Sequence, residues 1–116
     1  MKNRIQLKTL LPEAGTAPER QLALFALISL GVLESLSNGL ATASEAVGLF
    51  FNAENCLFVR KSLGVKTADE VMSHGVQLPD LFEALPAEEA NREFYRELAT
   101  MRSLCLKLLE KERLAA

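Results

Sequence analysis

Hydrophobic positions in this chain are grouped rather than scattered, and the groups predict helices. Residues 22–33 are apolar almost without a break, interrupted only by Ser29 and Gly31. Apolar side chains then fall all round the predicted helix, the pattern of a helix enclosed by others. One stripe on it, Leu22, Ala26, Ser29, Leu33 and Leu36, steps 4-3-4-3 with small residues in the middle. This first helix is expected from a cap at Thr16, with Pro18 in its first turn, to about Asn38. A second helix from Ala43 to about Phe51 buries Ala46, Val47, Phe50 and Phe51 on one side. Residues 52–55 are either a bend or a continuous joint. A third helix follows to Leu63, with Cys56, Val59 and Leu63 in a stripe and Arg60 and Lys61 near its C-terminal dipole end. A fourth, Ala68 to His74, is short. A fifth starts at Pro79, presents Leu81, Phe82 and Leu85, and ends before Pro86. The last helix runs from about Ala87 to Leu114, where Phe94, Leu98, Met101, Cys105 and Leu108 again step 4-3-4-3.

The N-terminal segment reads differently. Ile5 and Leu7 alternate with Arg4, Gln6 and Lys8, a short strand spacing within residues 2–11. No second strand follows, so this segment is either a loose arm or an edge that pairs with its copy in a dimer. Residues 12–17 form a linker, giving an arm over residues 1–15 and one helical domain over residues 16–116.

Local chemistry sharpens the helix boundaries. The chain spells Thr-Ala-x-Glu at Thr16, Thr42 and Thr67, each a capping box in which hydroxyl and carboxylate satisfy opposite backbone N–H groups. Gly39-Leu40, Gly64-Val65 and Gly75-Val76 carry the signature of a left-handed helix stop whose next residue packs back on the last turn. The boxes start 26 and then 25 residues apart, a spacing seen in solenoids, but the segments between them do not align. They are punctuation, not repeats.

Composition fits one ordinary globular domain, with 49% hydrophobic and 24% charged residues. With six Phe, one Tyr and no Trp, Leu and Ala must fill most of the core. A net charge of −2 lacks the basic footprint that nucleic-acid binding needs. The basic N-terminal residues Lys2, Arg4 and Lys8 read as a solvated tail. Cys56 and Cys105 are isolated, each on an apolar stretch, which fits buried thiols in a reducing cytoplasm. The apolar run of residues 22–33 rises about 18 Å as a helix, too short for a bilayer core. Glu13 and Glu19 in the would-be n-region, and the distance to Ala41-Thr42-Ala43, argue against a secretory signal. No membrane association is expected.

Catalytic sets are scarce. One His excludes a two-His metal motif, and no Gly-rich phosphate loop occurs. No metal and no cofactor are expected. His74, just before Gly75, suits a helix C-terminus, or it pairs with Cys56 or Cys105 as base and nucleophile. Asp69-Glu70, Asp80 with Glu83, and Glu88-Glu89 stand where helix N-termini are expected, which explains them by the dipole alone. Glu89–Arg92, Glu93–Arg96 and Glu110–Arg113 are i,i+3 pairs that mark a water-facing side of the last helix.

Ser29-Leu30, Leu33-Glu34-Ser35-Leu36, Asn38-Gly39-Leu40, Glu45-Ala46 and Leu49-Phe50-Phe51-Asn52, followed by Gly75, Leu78, Asp80-Leu81 and Leu85-Pro86, form a recognisable set. Over residues 29–86 the chain resembles a family of short bacterial all-helical proteins catalogued only as a domain of unknown function. That resemblance implies a cytoplasmic bacterial helical protein and brings no activity.

The expected architecture is all-α, a single-domain bundle of five or six helices with a long C-terminal helix and a short N-terminal strand or arm. The expected function is a non-enzymatic protein–protein interaction module. It would act as a homodimer whose interface is the face of Phe94, Leu98, Met101, Cys105 and Leu108, because a helix of this length overhangs its domain. The alternative is a small-ligand-binding domain or enzyme. Its pocket would lie between the first helix and the Phe50-Phe51 helix, with His74 or Cys105 as the polar group. A third reading is an antagonist partner, such as a toxin-neutralising protein, that acts through acidic surface residues.

Overall fold

Six α-helices and two tighter or looser helical turns make up the chain; the structure, a computed structural model, describes residues 4–115, and only the backbone of residues 112–115. Helix α1 (Leu7–Leu10) runs into a 3-10 turn (Leu11–Ala14). It is followed by α2 (Pro18–Ser37), α3 (Ala43–Leu49) and α4 (Ala53–Phe58), which continues through a π-helical turn (Val59–Leu63). Then come α5 (Lys66–Ala84) and α6 (Ala87–Ala115). The 29 residues of α6 rise about 43 Å, which matches the molecule's longest dimension of 44 Å. Helices α2 and α5 both pack along α6, while α3 lies on α5 and the N-terminal turns lie on α2 and α4.

Residues 5–11 form no strand, and they are not a loose arm. The buried side chains here are Leu7 and Leu11, four residues apart, which is helical spacing; both are wholly inaccessible. The Ile5–Leu7 alternation is too short to compete with it. A buried amide fixes the segment in place. The Asn55 side chain accepts from the Leu7 N–H (3.0 Å) and donates to the Ile5 carbonyl (2.8 Å) and the Phe50 carbonyl (2.9 Å). The Leu7 N–H is one of the unpaired donors at a helix start, and here it is capped by a residue 48 positions away. The Ile5 N–H donates to the Leu49 carbonyl at 2.9 Å, and Lys8 pairs with Glu54 at 2.9 Å.

Of the three capping boxes, the one at Thr42 forms in full: Glu45 N–H donates to the Thr42 hydroxyl (3.1 Å) and Thr42 N–H to the Glu45 carboxylate (2.9 Å). At Thr16 the proline wins. Pro18 forces the residue before it into an extended conformation, so Ala17 becomes the cap residue and the helix starts one residue late for the box. At Thr67 the helix has already begun at Lys66, with Val65 as the single extended residue after Gly64.

Gly39 and Gly64 adopt the left-handed conformation expected of them, with φ of 72° and 62°. At the end of α2, Gly39 N–H donates to Leu36 O (3.2 Å) and Leu40 N–H to Ser35 O (2.9 Å), the two bonds of a Schellman stop. Leu40 does not pack back, however; it is 80% exposed. Gly75 is no stop at all. It lies inside α5 beneath the ring of Phe51, which a Cβ at this position would overlap. The two short helices expected over residues 68–85 are therefore one, and α5 passes through Pro79 as well. An internal proline costs about 3 kcal/mol. Burial of Leu78 and the packing of Phe82 on Phe94 (ring centroids 5.2 Å apart) offset that cost.

The uncertain joint at residues 52–55 is a break. Phe50 and Phe51 leave the helical path and enter the core, where Phe50 stacks on Phe25 (6.2 Å) and meets Phe51 edge-on (5.0 Å). Asn52 then caps α4 by accepting from the Asn55 N–H at 3.0 Å.

Two substitutions test this packing in urea unfolding. Asn55→Ala leaves a buried N–H and two carbonyls without partners and should lower stability by about 2–4 kcal/mol. Gly75→Ala drives a methyl into Phe51 and should cost about 1–3 kcal/mol. An Asn55→Ala midpoint equal to that of the natural chain would contradict the first.

Candidate interaction surface

The sequence of α2 carries no charge from Gln21 to Leu33, with Arg20 before it and Glu34 after it. Leu22, Phe25, Ala26, Ser29, Val32, Leu33 and Leu36 point into the core. The opposite side is only partly covered by the described residues. Leu27 is 56% exposed, Gly31 is exposed, and Leu24, Ile28 and Leu30 are half-buried. Helix α2 is therefore enclosed on one side only, contrary to the expectation drawn from its all-round apolarity. Helices α3 and α4, at seven and six residues, are too short to cover it.

Two depressions flank this face. One, of about 460 Å³, lies between α2 and α3 and is lined by Ile5, Ile28, Gly31, Leu40 and Leu49 among others. The other, of about 420 Å³, lies between α2 and α6 and includes Leu30, Glu34, Tyr95, Arg102 and Leu106. Leu27 and Leu40, with Tyr95 and Leu106 on α6, are the large apolar side chains that this side leaves in water. By length and composition α2 could cross a bilayer, with a mean hydropathy of 1.3 over its best window; 39% of that window is buried in the fold.

The side chains expected to form an interface on the last helix are not on the surface. Phe94, Leu98, Met101, Cys105 and Leu108 are all buried in the chain's own core, because α2 and α5 cover that side of α6. Helices α2 and α5, at 20 and 19 residues, are long enough to cover the apolar stripe of α6. Outside that stripe, Tyr95 and Leu106 remain exposed.

The expected polar groups do not converge. Cys105 is buried beside Ser29, whose hydroxyl is also buried. Burial pushes the Cys105 thiol up to about 11, and the neighbouring Ser29 hydroxyl offsets part of the rise. Burial also raises the Cys56 thiol; Arg60 works against this and Asp69 adds to it. Neither thiol is activated as a nucleophile, which needs a lowered value. His74 on α5 meets Glu97 on α6 through Nδ1 at 2.6 Å. Both side chains are about one-third exposed, beside Gln77 and Asp80 in a shallow depression of about 200 Å³. His74 thus joins two helices and does not face a thiol. The groove between α2 and α3 contains neither His74 nor Cys105.

Asp69 pairs with Arg60 at 3.6 Å, and Arg96 with Glu93 at 3.1 Å as expected for i,i+3 spacing; Glu110–Arg113 lies outside the described side chains. Among the described residues no group of three His, Cys, Asp or Glu side chains is placed to hold a metal.

Thiol titration checks this arrangement. At pH 8 a thiol near 11 carries about a hundredfold less thiolate than an ordinary one. Cys105 should therefore stay unmodified in the folded chain while half-buried Cys56 reacts, and both should react in denaturant. The unfolded thiol loses its proton first as pH rises from about 9 to about 11, so stability should fall across that window. Cys105→Ala should flatten the decline; equal slopes would contradict the assigned burial. No protein-family model, curated protein or solved structure matches the chain, so its function is read from this surface.

Proposed function

We propose that the chain is a non-enzymatic protein–protein interaction module that acts as a homodimer, with the outer face of α2 in place of the α6 stripe as its contact. The observation that carries this reading is the uncharged, half-covered length of α2 around Leu27, next to Leu40 at 80% exposure. Isolated exposed leucines are ordinary on a protein surface; a continuous apolar helix face rimmed by charges marks an interaction site. The scattered polar groups support the non-enzymatic part. His74 is engaged with Glu97, and the two thiols are raised rather than activated. Free Cys56 and Cys105 suit a reducing cytoplasm, where the module would work.

Association is expected at tens of micromolar, read as twice the chain mass by light scattering. Leu27→Glu places a charge at the centre of the face at a position already exposed, so it should leave helical content intact. It should weaken association at least tenfold. A strict monomer for the natural chain at that concentration would overturn the homodimer reading.

A further inference from the structure

We infer that two copies of the chain pair through α2 in antiparallel orientation about a two-fold axis at Leu27, each Arg20 meeting the partner's Glu34; this rests on the interaction-module reading above. Arg20, Leu27 and Glu34 are seven residues apart, so they return to one face of the helix with a drift of about 20° per step. All three are exposed. The two charges lie about 21 Å apart along α2, with Leu27 midway.

An antiparallel two-fold through Leu27 exchanges position 20 with 34, 23 with 31, and 24 with 30. Arg20 then faces the partner's Glu34 twice over, because the interface is self-complementary. Leu24 faces the partner's Leu30, and Leu27 faces its own copy. A parallel arrangement would instead oppose Arg20 to Arg20 and Glu34 to Glu34. The charge pattern selects the antiparallel one.

Two further observations fit a second copy. Neither Arg20 nor Glu34 has an ion-pair partner in its own chain among the described residues; the Glu34 carboxylate accepts only from Asn38, at 2.9 Å. Gly31 sits inside α2 with ordinary helical backbone, and a Cβ there would meet nothing within 4 Å. A glycine in a helix costs about 1 kcal/mol against alanine, and nothing among the described residues requires it here. Across the two-fold, Gly31 lies opposite the partner's Ala23. That pair of small residues lets the two helix backbones approach closely beside the Leu27 contact.

Charge reversal tests the arrangement. Arg20→Glu and Glu34→Arg should each weaken self-association at least tenfold in sedimentation, with helical content unchanged by circular dichroism. Mixing the two variants should restore association to within about threefold of the natural chain, because each mixed pair regains both opposite-charge contacts. The double variant R20E/E34R should also recover in the antiparallel arrangement and would gain nothing in a parallel one. If Leu27→Glu abolishes association while the reversals leave it unchanged, the antiparallel pairing falls and the interaction module stands. If the natural chain stays monomeric, both fall. Adsorption of the natural chain to phosphatidylcholine vesicles, lost in Leu27→Glu, would assign the face to a membrane and overturn the pairing.

Discussion

One buried side chain amide holds the N-terminal half of this protein together. Asn55 is 1% exposed, and its two N–H donors and its carbonyl oxygen are all used, tying Ile5 and Leu7 to the α3–α4 junction. Only one orientation of the amide satisfies these partners, so the contact is directional as well as buried. The same junction turns Phe50 and Phe51 inward, and Phe51 occupies the space left by the missing side chain of Gly75. Three segments far apart in sequence are registered at that point. With α1 on one end, α3 and α4 short, and α6 along one flank, the described residues leave the outer face of α2 around Leu27 largely uncovered.

The helices and several of their ends were legible because their signals are local. The Thr42 box and the left-handed Gly39 and Gly64 involve residues within a turn or two of one another, and α6 is legible because its 4-3-4-3 spacing runs unbroken after Pro86. Errors arose where a local signal met a constraint elsewhere. Thr16 lost to the extended ψ that Pro18 imposes on Ala17. Gly75 looked like a stop because an exposed chain would use it so, yet the ring of Phe51 is what demands a glycine there. The helical start at Leu7 depends on a donor–acceptor match with Asn55, which no window of neighbouring residues contains.

The candidate surface shows a different limit. A 4-3-4-3 spacing states which side chains share a face and leaves open whether that face is covered. The stripe from Phe94 to Leu108 reads as an interface and is core, whereas the run from Leu22 to Leu36 reads as enclosed all round and is core on one side only. What periodicity did not reveal is the second, opposite face of α2, because an all-round apolar helix looks the same whether three neighbours surround it or only two. The charges at its ends were the available signal. Arg20 and Glu34 bracket the uncharged run at equal distances from Leu27, a symmetry that has meaning only once those three side chains are known to point outward.

The claim that joins fold to function is that the chain leaves Leu27 and Leu40 in water while it buries Leu98 and Leu108. Methyl NMR with a soluble paramagnetic agent measures this directly. In dilute solution the methyls of Leu27 and Leu40 should broaden strongly and those of Leu98 and Leu108 should not. On concentration to hundreds of micromolar, the Leu27 methyls should become protected as a second copy covers them. Leu27 methyls shielded in the dilute monomer, or Leu98 and Leu108 methyls open to the agent, would contradict the account.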